Sequence, residues 1–215
     1  ERIAAAEAEV KRTFAVVLDL GAQLTAARQQ AAGEMAENLT KGLQELGMPS
    51  VQIHFEFTAR TRPDSSGCDA VRFLFTANKQ MPLQDVAQTA SGGEIARVML
   101  PLKALIAQKR NLPTIIFDEI DTGVSGTMAE RMGRVMQRMG QSAQVLCITH
   151  LPQIAALGKV HFWVHKQEND TGTTSNIRAL SADERVQEIA NMLSGAAITE
   201  AALTNARQLL DEGAQ

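Results

Sequence analysis

Pro113-Thr114-Ile115-Ile116-Phe117-Asp118-Glu119-Ile120-Asp121-Thr122-Gly123-Val124-Ser125-Gly126 is the stretch whose reading decides the fold. Thr114 to Phe117 is a short, unbroken apolar run, closed by Pro113 on one side and by two consecutive acids on the other. Such a run predicts a strand buried on both faces, the pattern of a parallel sheet. Asp118 and Glu119 then stand at the strand's carboxyl end. Adjacent carboxylates are costly there, because desolvation and mutual repulsion both oppose ionisation. A divalent cation with a phosphate ligand offsets that cost. One carboxylate can hold Mg²⁺, usually through water, while its neighbour orients an attacking water.

Four apolar residues and Asp-Glu also describe a plain strand running into an acidic turn, so the company they keep matters. Upstream, Ala90-Ser91-Gly92-Gly93-Glu94 leads into Ile95, Val98, Met99, Leu102, Leu105 and Ile106, whose spacing predicts one apolar helix face. The glycines therefore sit at a helix N-terminus. Unsatisfied N–H groups and the positive end of the helix dipole can meet an anion there, and the missing side chains let a phosphate approach. Ser91 adds a hydroxyl contact or simply caps the helix. Pro101, inside the same helix, removes a backbone bond and predicts a bend. Downstream, Gln144 to Thr149 reads as a second buried strand ending at His150, which alone is either a core histidine or a phosphate contact. In this order the three motifs are those of a nucleotide site, with Asp118 and Glu119 as a Walker B pair.

The chain has 215 residues, 45% of them hydrophobic, enough to bury a core in one domain or one domain plus an appendage. A formal charge of -3 gives no global basic field, so a nucleic-acid contact would need a local patch or another part of the molecule. No apolar run approaches the ~20 residues of a membrane span, and no charged-then-apolar leader is present, which predicts a cytoplasmic location. Cys68 and Cys147 lack paired metal-site spacing and read as ordinary reduced thiols.

Ile3, Val10, Val17, Leu24 and Ala31 recur as a heptad series, and Met35, Leu39, Leu43 and Leu46 continue it at helical spacing. Gly47 and Pro49 supply the stop. A helix over about residues 2–46 would be ~65 to 70 Å long, too long for the core of so small a domain, and is expected to project. Glu7, Gly21 and Arg28 interrupt the second heptad seam, which favours an antiparallel partner helix over a regular dimeric coiled coil. An amphipathic helix lying on the domain is the other reading. Glu1-Arg2-Ile3 already lies in the helical pattern without an initiator Met, so a longer chain is expected to precede it.

Val51, Ile53, Phe55 and Phe57 alternate with polar residues and, with Val71, Phe73 and Phe75, predict a hairpin around the turn-rich stretch 60–69. His54 is then exposed, and Arg60, Arg62 and Arg72 either face DNA backbone or form a solvated hairpin face. Residues 78–89 read as a surface loop. Met128, Met132, Val135, Met136 and Met139 mark a helix whose methionines belong to the core. A short helix from Pro152, strands around the Asn169-Asp170-Thr171-Gly172 turn, a capping box at Ser181 to Glu184 and a last helix over about 200–210 follow. His161 and His165 read as structural or exposed.

A phosphate cradle of the Gly-x-x-x-x-Gly-Lys-Ser/Thr type does not occur in the chain. Lysine follows glycine only at Gly158-Lys159, where Gln153 and Val160 break the pattern. The chain thus carries half of a nucleotide-hydrolysing apparatus.

Taken together these residues resemble the ATP-binding-cassette class and, within it, the RecN family of bacterial DNA repair proteins, relatives of the SMC chromosome proteins. The resemblance spans nearly the whole chain and rests on Gln44 to Pro49, Ala90 to Arg97, Phe117 to Gly126 and Cys147 to Ala155. Ala90 stands where the general cassette signature has leucine, and Pro101 is atypical for its helix. The resemblance implies an α/β fold: the C-terminal lobe of an ATPase head, residues 48–215, entered by the returning arm of an antiparallel coiled coil, residues 1–47. An N-terminal lobe would supply the Walker A loop, and two heads would sandwich two ATP molecules. Asp118 would support Mg²⁺, Glu119 would polarise the attacking water and His150 would contact the γ-phosphate. Ser91, Gly92 and Gly93 would meet nucleotide on the opposite head, and Ser125 would lie in the D-loop near the dimer interface. The implied task is ATP-driven engagement of DNA near double-strand breaks, with the chain itself inactive as an ATPase when alone. Two other functions stay open at this point: a noncatalytic module that binds a partner lobe, and the nucleotide-binding domain of another cassette protein such as a transporter.

Overall fold

A computed structural model describes residues 1–86, 92–124, 126–169, 172–195 and 197–214. They form two compact units, Glu1–Ile95 and Ala96–Gln215.

The first unit is built on α1 (Arg2–Glu45), β1 (Gln52–Asp64), β2 (Gly67–Thr76) and the short β3 (Gln84–Asp85). Helix α1 ends as Gly47 and Pro49 predict. Gly47 adopts φ +76°, its N–H donates to Gln44 O at 3.1 Å, and Met48 N–H donates to Leu43 O at 3.0 Å. This left-handed closure favours glycine because a Cβ there meets the following carbonyl. The helix is exposed over residues 1–20; further on Leu39 and Leu43, then Leu46, are fully buried. Strands β1 and β2 pair antiparallel, with Phe55 opposite Phe73 and their rings stacked at 5.0 Å. The hairpin runs longer than the turn-rich composition of 60–69 predicts: β1 continues to Asp64, and a register shift between Ala59 and Asp64 absorbs the irregular stretch. His54 is exposed, and Arg72 is paired with Glu56 at 3.1 Å. Part of the expected loop is β3, which pairs with β2.

Gly21 and Arg28, which interrupt the heptad pattern, lie where α1 meets the hairpin tip. A Cβ on Gly21 would stand 2.0 Å from Cys68 Sγ. One turn on, Leu24 faces Gly67, and Arg28 donates to Asp69 Oδ1 at 2.6 Å and to Ser66 O at 2.7 Å. Positions 21, 24 and 28 share one helix face, so this seam is made by a small residue, a leucine and a charge-assisted anchor.

Helix α2 (Gly92–Arg110) opens at the glycines and runs through Pro101. Its burial departs from the predicted face: Val98, Leu100, Pro101 and Ala107 are buried while Ile95 and Ile106 are exposed.

In the second unit β4 (Thr114–Asp118) and β5 (Gln144–Ile148) pair in parallel, joined through α3 (Thr127–Met139). Phe117 is completely buried, with the Lys103 ammonium 5.3 Å from its ring centroid. Met132 and Met136 are core residues of α3. There α4 (Pro152–Ala155) comes close, because Gly133 lacks the Cβ that would strike Leu157 at 2.4 Å. The expectation that β4 is buried on both faces is corrected. Ile115 and Phe117 are buried, but Ile116 is 58% exposed, and Leu146 and Ile148 on β5 are exposed with it. A two-stranded sheet with helix on one side leaves alternate residues bare.

The hairpin β6 (Phe162–Asn169) with β7 (Gly172–Ala179) precedes α5 (Ala182–Ser194) and α6 (Glu200–Ala214). The predicted capping box is formed: Ser181 N–H donates to Glu184 Oε2 at 2.9 Å, and Glu184 N–H donates to Ser181 Oγ at 3.4 Å. Ile189 and Ala190 of α5 pack with Ala202 and Ala206 of α6.

Candidate functional site

The site grows from the register of β4 and β5. Asp118 pairs with Ile148, so the parallel strands finish side by side and their following loops leave from the same end. One loop carries Glu119, Ile120 and Asp121; the other carries Thr149 and His150. Open parallel sheets put ligands beyond the carboxyl ends of their strands for this reason.

Asp118 and Glu119 are both exposed. The desolvation cost expected for this pair therefore does not arise in the chain itself. Glu119 instead carries a backbone cost, with φ +50°, a left-handed conformation uncommon for a residue with a side chain. The turn that holds it is closed by Thr122, whose N–H and hydroxyl both donate to Glu119 O, at 3.3 and 3.0 Å. Val124 N–H donates to Asp121 O at 3.0 Å, and Gly123 takes φ +74° between them.

Asp121, quoted in the sequence motif without a role, is completely buried. Its Oδ2 accepts from the Thr149 hydroxyl and from His150 N–H at 3.4 Å, and it stands 3.6 Å from His150 Nδ1. Thr149 Oγ1 in turn accepts from Leu151 N–H at 3.0 Å, which sets the path into α4. The His150 side chain is 71% exposed and so is available to a ligand, unlike a core histidine. The same carboxylate acts on Cys147, whose thiol is pushed up to about 11, first by burial and second by the Asp121 charge.

Among the sequence-predicted residues, Asp118, Glu119 and His150 are thus gathered at one end of one sheet. Gly92 and Gly93 open α2, as their reading requires. Ser91 and Ser125 lie outside the described residues. Among the described residues no group of three or more His, Cys, Asp or Glu side chains forms a metal cage. Asp118 nonetheless offers the donor that Mg²⁺ uses in phosphate sites, where one or two carboxylates suffice and water and phosphate oxygens complete the shell.

No model of a protein family matches the chain. Its sequence is 39% identical to the DNA repair protein RecN of Haemophilus influenzae over 202 residues, 94% of this chain and 36% of that protein. It is 36% identical to the RecN of Vibrio cholerae over 98% of this chain and 38% of that protein. The match to the RecN of Deinococcus radiodurans is 39% over 95% of this chain and 36% of that protein. The chain spans little more than a third of the length of the curated relatives it matches. Among solved structures, the Smc head domain with a coiled coil and joint from Pyrococcus yayanosii covers 98% of this chain and 34% of that chain, with TM-score 0.59 and 18% identity. An Smc head bound to the C-winged helix domain of ScpA covers 74% of this chain and 46% of that one, with TM-score 0.55 and 18% identity. At such identities the likeness speaks to fold, and it agrees with the expected α/β lobe and long leading helix.

Proposed function

The chain belongs to the RecN family, and from that membership we propose that it forms the C-terminal lobe of an SMC-like, ATP-binding-cassette ATPase head. On this reading residues 48–215 are the lobe, residues 1–47 are the returning arm of an antiparallel coiled coil, and the whole assembly hydrolyses ATP during DNA double-strand break repair and recombination in the cytoplasm. The observation that carries it is the convergence of Asp118, Glu119 and His150 at the paired exits of β4 and β5.

Each side chain has work there that its geometry suits. The Asp118 carboxylate would support Mg²⁺ through water, and the ion when bound neutralises charge on the transferred phosphoryl group. Glu119, directed by its left-handed backbone rather than by the strand's alternation, orients and deprotonates the attacking water. General-base help of this kind is worth ~10² to 10⁴ in rate. His150, exposed and tethered through its loop, donates or accepts a hydrogen bond at the γ-phosphate. Ser91, Gly92 and Gly93 meet nucleotide held on a second head, and Ser125 lies near that head's surface. DNA is engaged by the full assembly, since the chain's formal charge of -3 supplies no global basic field.

The phosphate cradle is supplied by a Walker A-bearing lobe. Two observations support this: the chain contains no such motif, and Ile116, Leu146 and Ile148 expose a contiguous apolar face on a parallel sheet. Parallel sheets are ordinarily covered on both faces. The same exposed face favours the second reading, a noncatalytic lobe whose task is to bind a partner. A transporter domain finds less support, as the relatives that match nearly the whole chain are named DNA repair proteins.

Reconstitution separates the first two readings. Mixing the chain with a Walker A-bearing lobe should yield Mg²⁺-dependent ATP turnover that neither piece shows alone. Ile116→Asp should weaken the association while leaving the chain's own melting unchanged, because that side chain is already 58% exposed. Turnover by the chain alone after rigorous purification would defeat the half-site account. Association without turnover would favour the noncatalytic reading.

A further inference from the structure

We propose that Asp121 is a positioning residue that locks the Glu119 turn to the His150 loop, so that base and phosphate contact are set by one buried carboxylate. The inference rests on the catalytic reading of Glu119 and His150 given above. Its own support is geometric. Asp121 has no exposed surface, and one of its oxygens is committed to the other loop by the Thr149 hydroxyl and the His150 N–H, with His150 Nδ1 at 3.6 Å. With Nδ1 on the Asp121 side, Nε2 is the ring nitrogen left for a ligand.

The other oxygen, Oδ1, is buried and finds no hydrogen-bond partner among the described residues. A buried carboxylate with one oxygen unsatisfied is a poor means of stabilising a fold, because an apolar residue of similar size avoids the desolvation. Its cost is explained if the charge and its acceptor geometry serve the loops. Asp121 is two residues from Glu119 within the same turn, whose closing bonds run from Thr122 to Glu119 O and from Val124 to Asp121 O. A shift of Asp121 therefore moves the strained Glu119 backbone and the His150 loop together. Small displacements of positioned groups lower the rate of the chemical step more than substrate binding.

The test has one readout without activity and one with it. In the chain alone, the ring ¹⁵N resonances of His150 should move in Asp121→Asn, since Asn keeps the shape and removes the charge. Unchanged His150 resonances would overturn the proposal. In the chain reconstituted with a Walker A-bearing lobe, Asp121→Asn should lower kcat by about 10- to 100-fold, the range of supporting residues around a site, with KM for ATP nearly constant. Asp121→Asn combined with His150→Gln should lose less than the product of the two single losses, because residues acting as a unit are not additive. Independent, multiplying losses, or wild-type kcat in Asp121→Asn, would also overturn it. Should Asp121→Asn fail to fold, Thr149→Val and Thr149→Ser carry the same comparison: Val should lose kcat and Ser should restore it, and equal activity of the two refutes the link. Glu119→Gln in the same assay tells the two levels apart, since normal turnover there removes the catalytic reading while leaving the His150 resonances to judge Asp121.

Discussion

Replacing glycine by alanine at two points of α1 should have different consequences. In a helix interior the substitution is worth about 1 kcal/mol of propensity. At Gly33 nothing lies within 4 Å of an added Cβ, so Gly33→Ala should stabilise by about that amount. At Gly21 the new Cβ would fall 2.0 Å from Cys68 Sγ and 3.1 Å from Cys68 Cβ. Rotating the thiol removes the first clash, but the second needs the helix or the hairpin to shift by a few tenths of an ångström. Overpacking of this kind costs about 1 to 3 kcal/mol. Gly21→Ala should therefore range from neutral to about 2 kcal/mol destabilising, a difference of about 1 to 3 kcal/mol between the same change at two sites. Urea unfolding followed by circular dichroism reads that difference in the midpoints. In a Cys68→Ala background the Sγ clash is gone but the 3.1 Å contact with the Cβ at position 68 stays, so only a small part of the helix gain should return. Equal stabilisation by Gly21→Ala and Gly33→Ala would refute the close approach of α1 to the hairpin tip.

Other consequences concern the second unit. Burial, and secondarily the Arg185 charge, hold the His161 imidazole below its ordinary value of 6.5, against the opposing pull of the Ala155 and Gly158 carbonyls. Below pH 6.5 the unfolded chain takes up a proton that the folded chain refuses. Stability from this group is thus complete above that pH and is lost as pH falls through the folded value. His161→Gln should flatten this part of the acid dependence of the urea midpoint. Cys147, with its thiol near 11, should be alkylated at pH 8 roughly two orders of magnitude more slowly than a free cysteine. Asp121→Asn should restore part of that rate, because burial, the larger cause, remains.

Much of this fold is legible in the residues because its signals are local. Gly47 ends α1 where no side chain fits the backbone, and Ser181 with Glu184 caps α5 by reciprocal bonds within four residues. What escapes is whatever depends on a distant partner. Gly21 and Arg28 look like faults in a heptad seam only when the expected partner is another helix; against Cys68 and Asp69 they are the contact. The run Thr114 to Phe117 cannot tell whether its second face is covered by the same chain, and Ile116 is not. On α2, Pro101 reads as a bend yet is itself buried with Leu100. At the site, Asp118, Glu119 and His150 stand out because motif order marks them. Asp121 does not, since nothing in Glu119-Ile120-Asp121-Thr122 distinguishes the acid that points to solvent from the one beneath it.

Turnover by the chain reconstituted with a Walker A-bearing lobe, with Glu119→Gln against the unsubstituted residue, is the most direct measurement of the proposed chemistry. ATP should bind equally to both assemblies, and hydrolysis should fall by ~10² to 10⁴ in Glu119→Gln. Hydrolysis at the unsubstituted rate would contradict the assignment of Glu119 as the base that orients the attacking water.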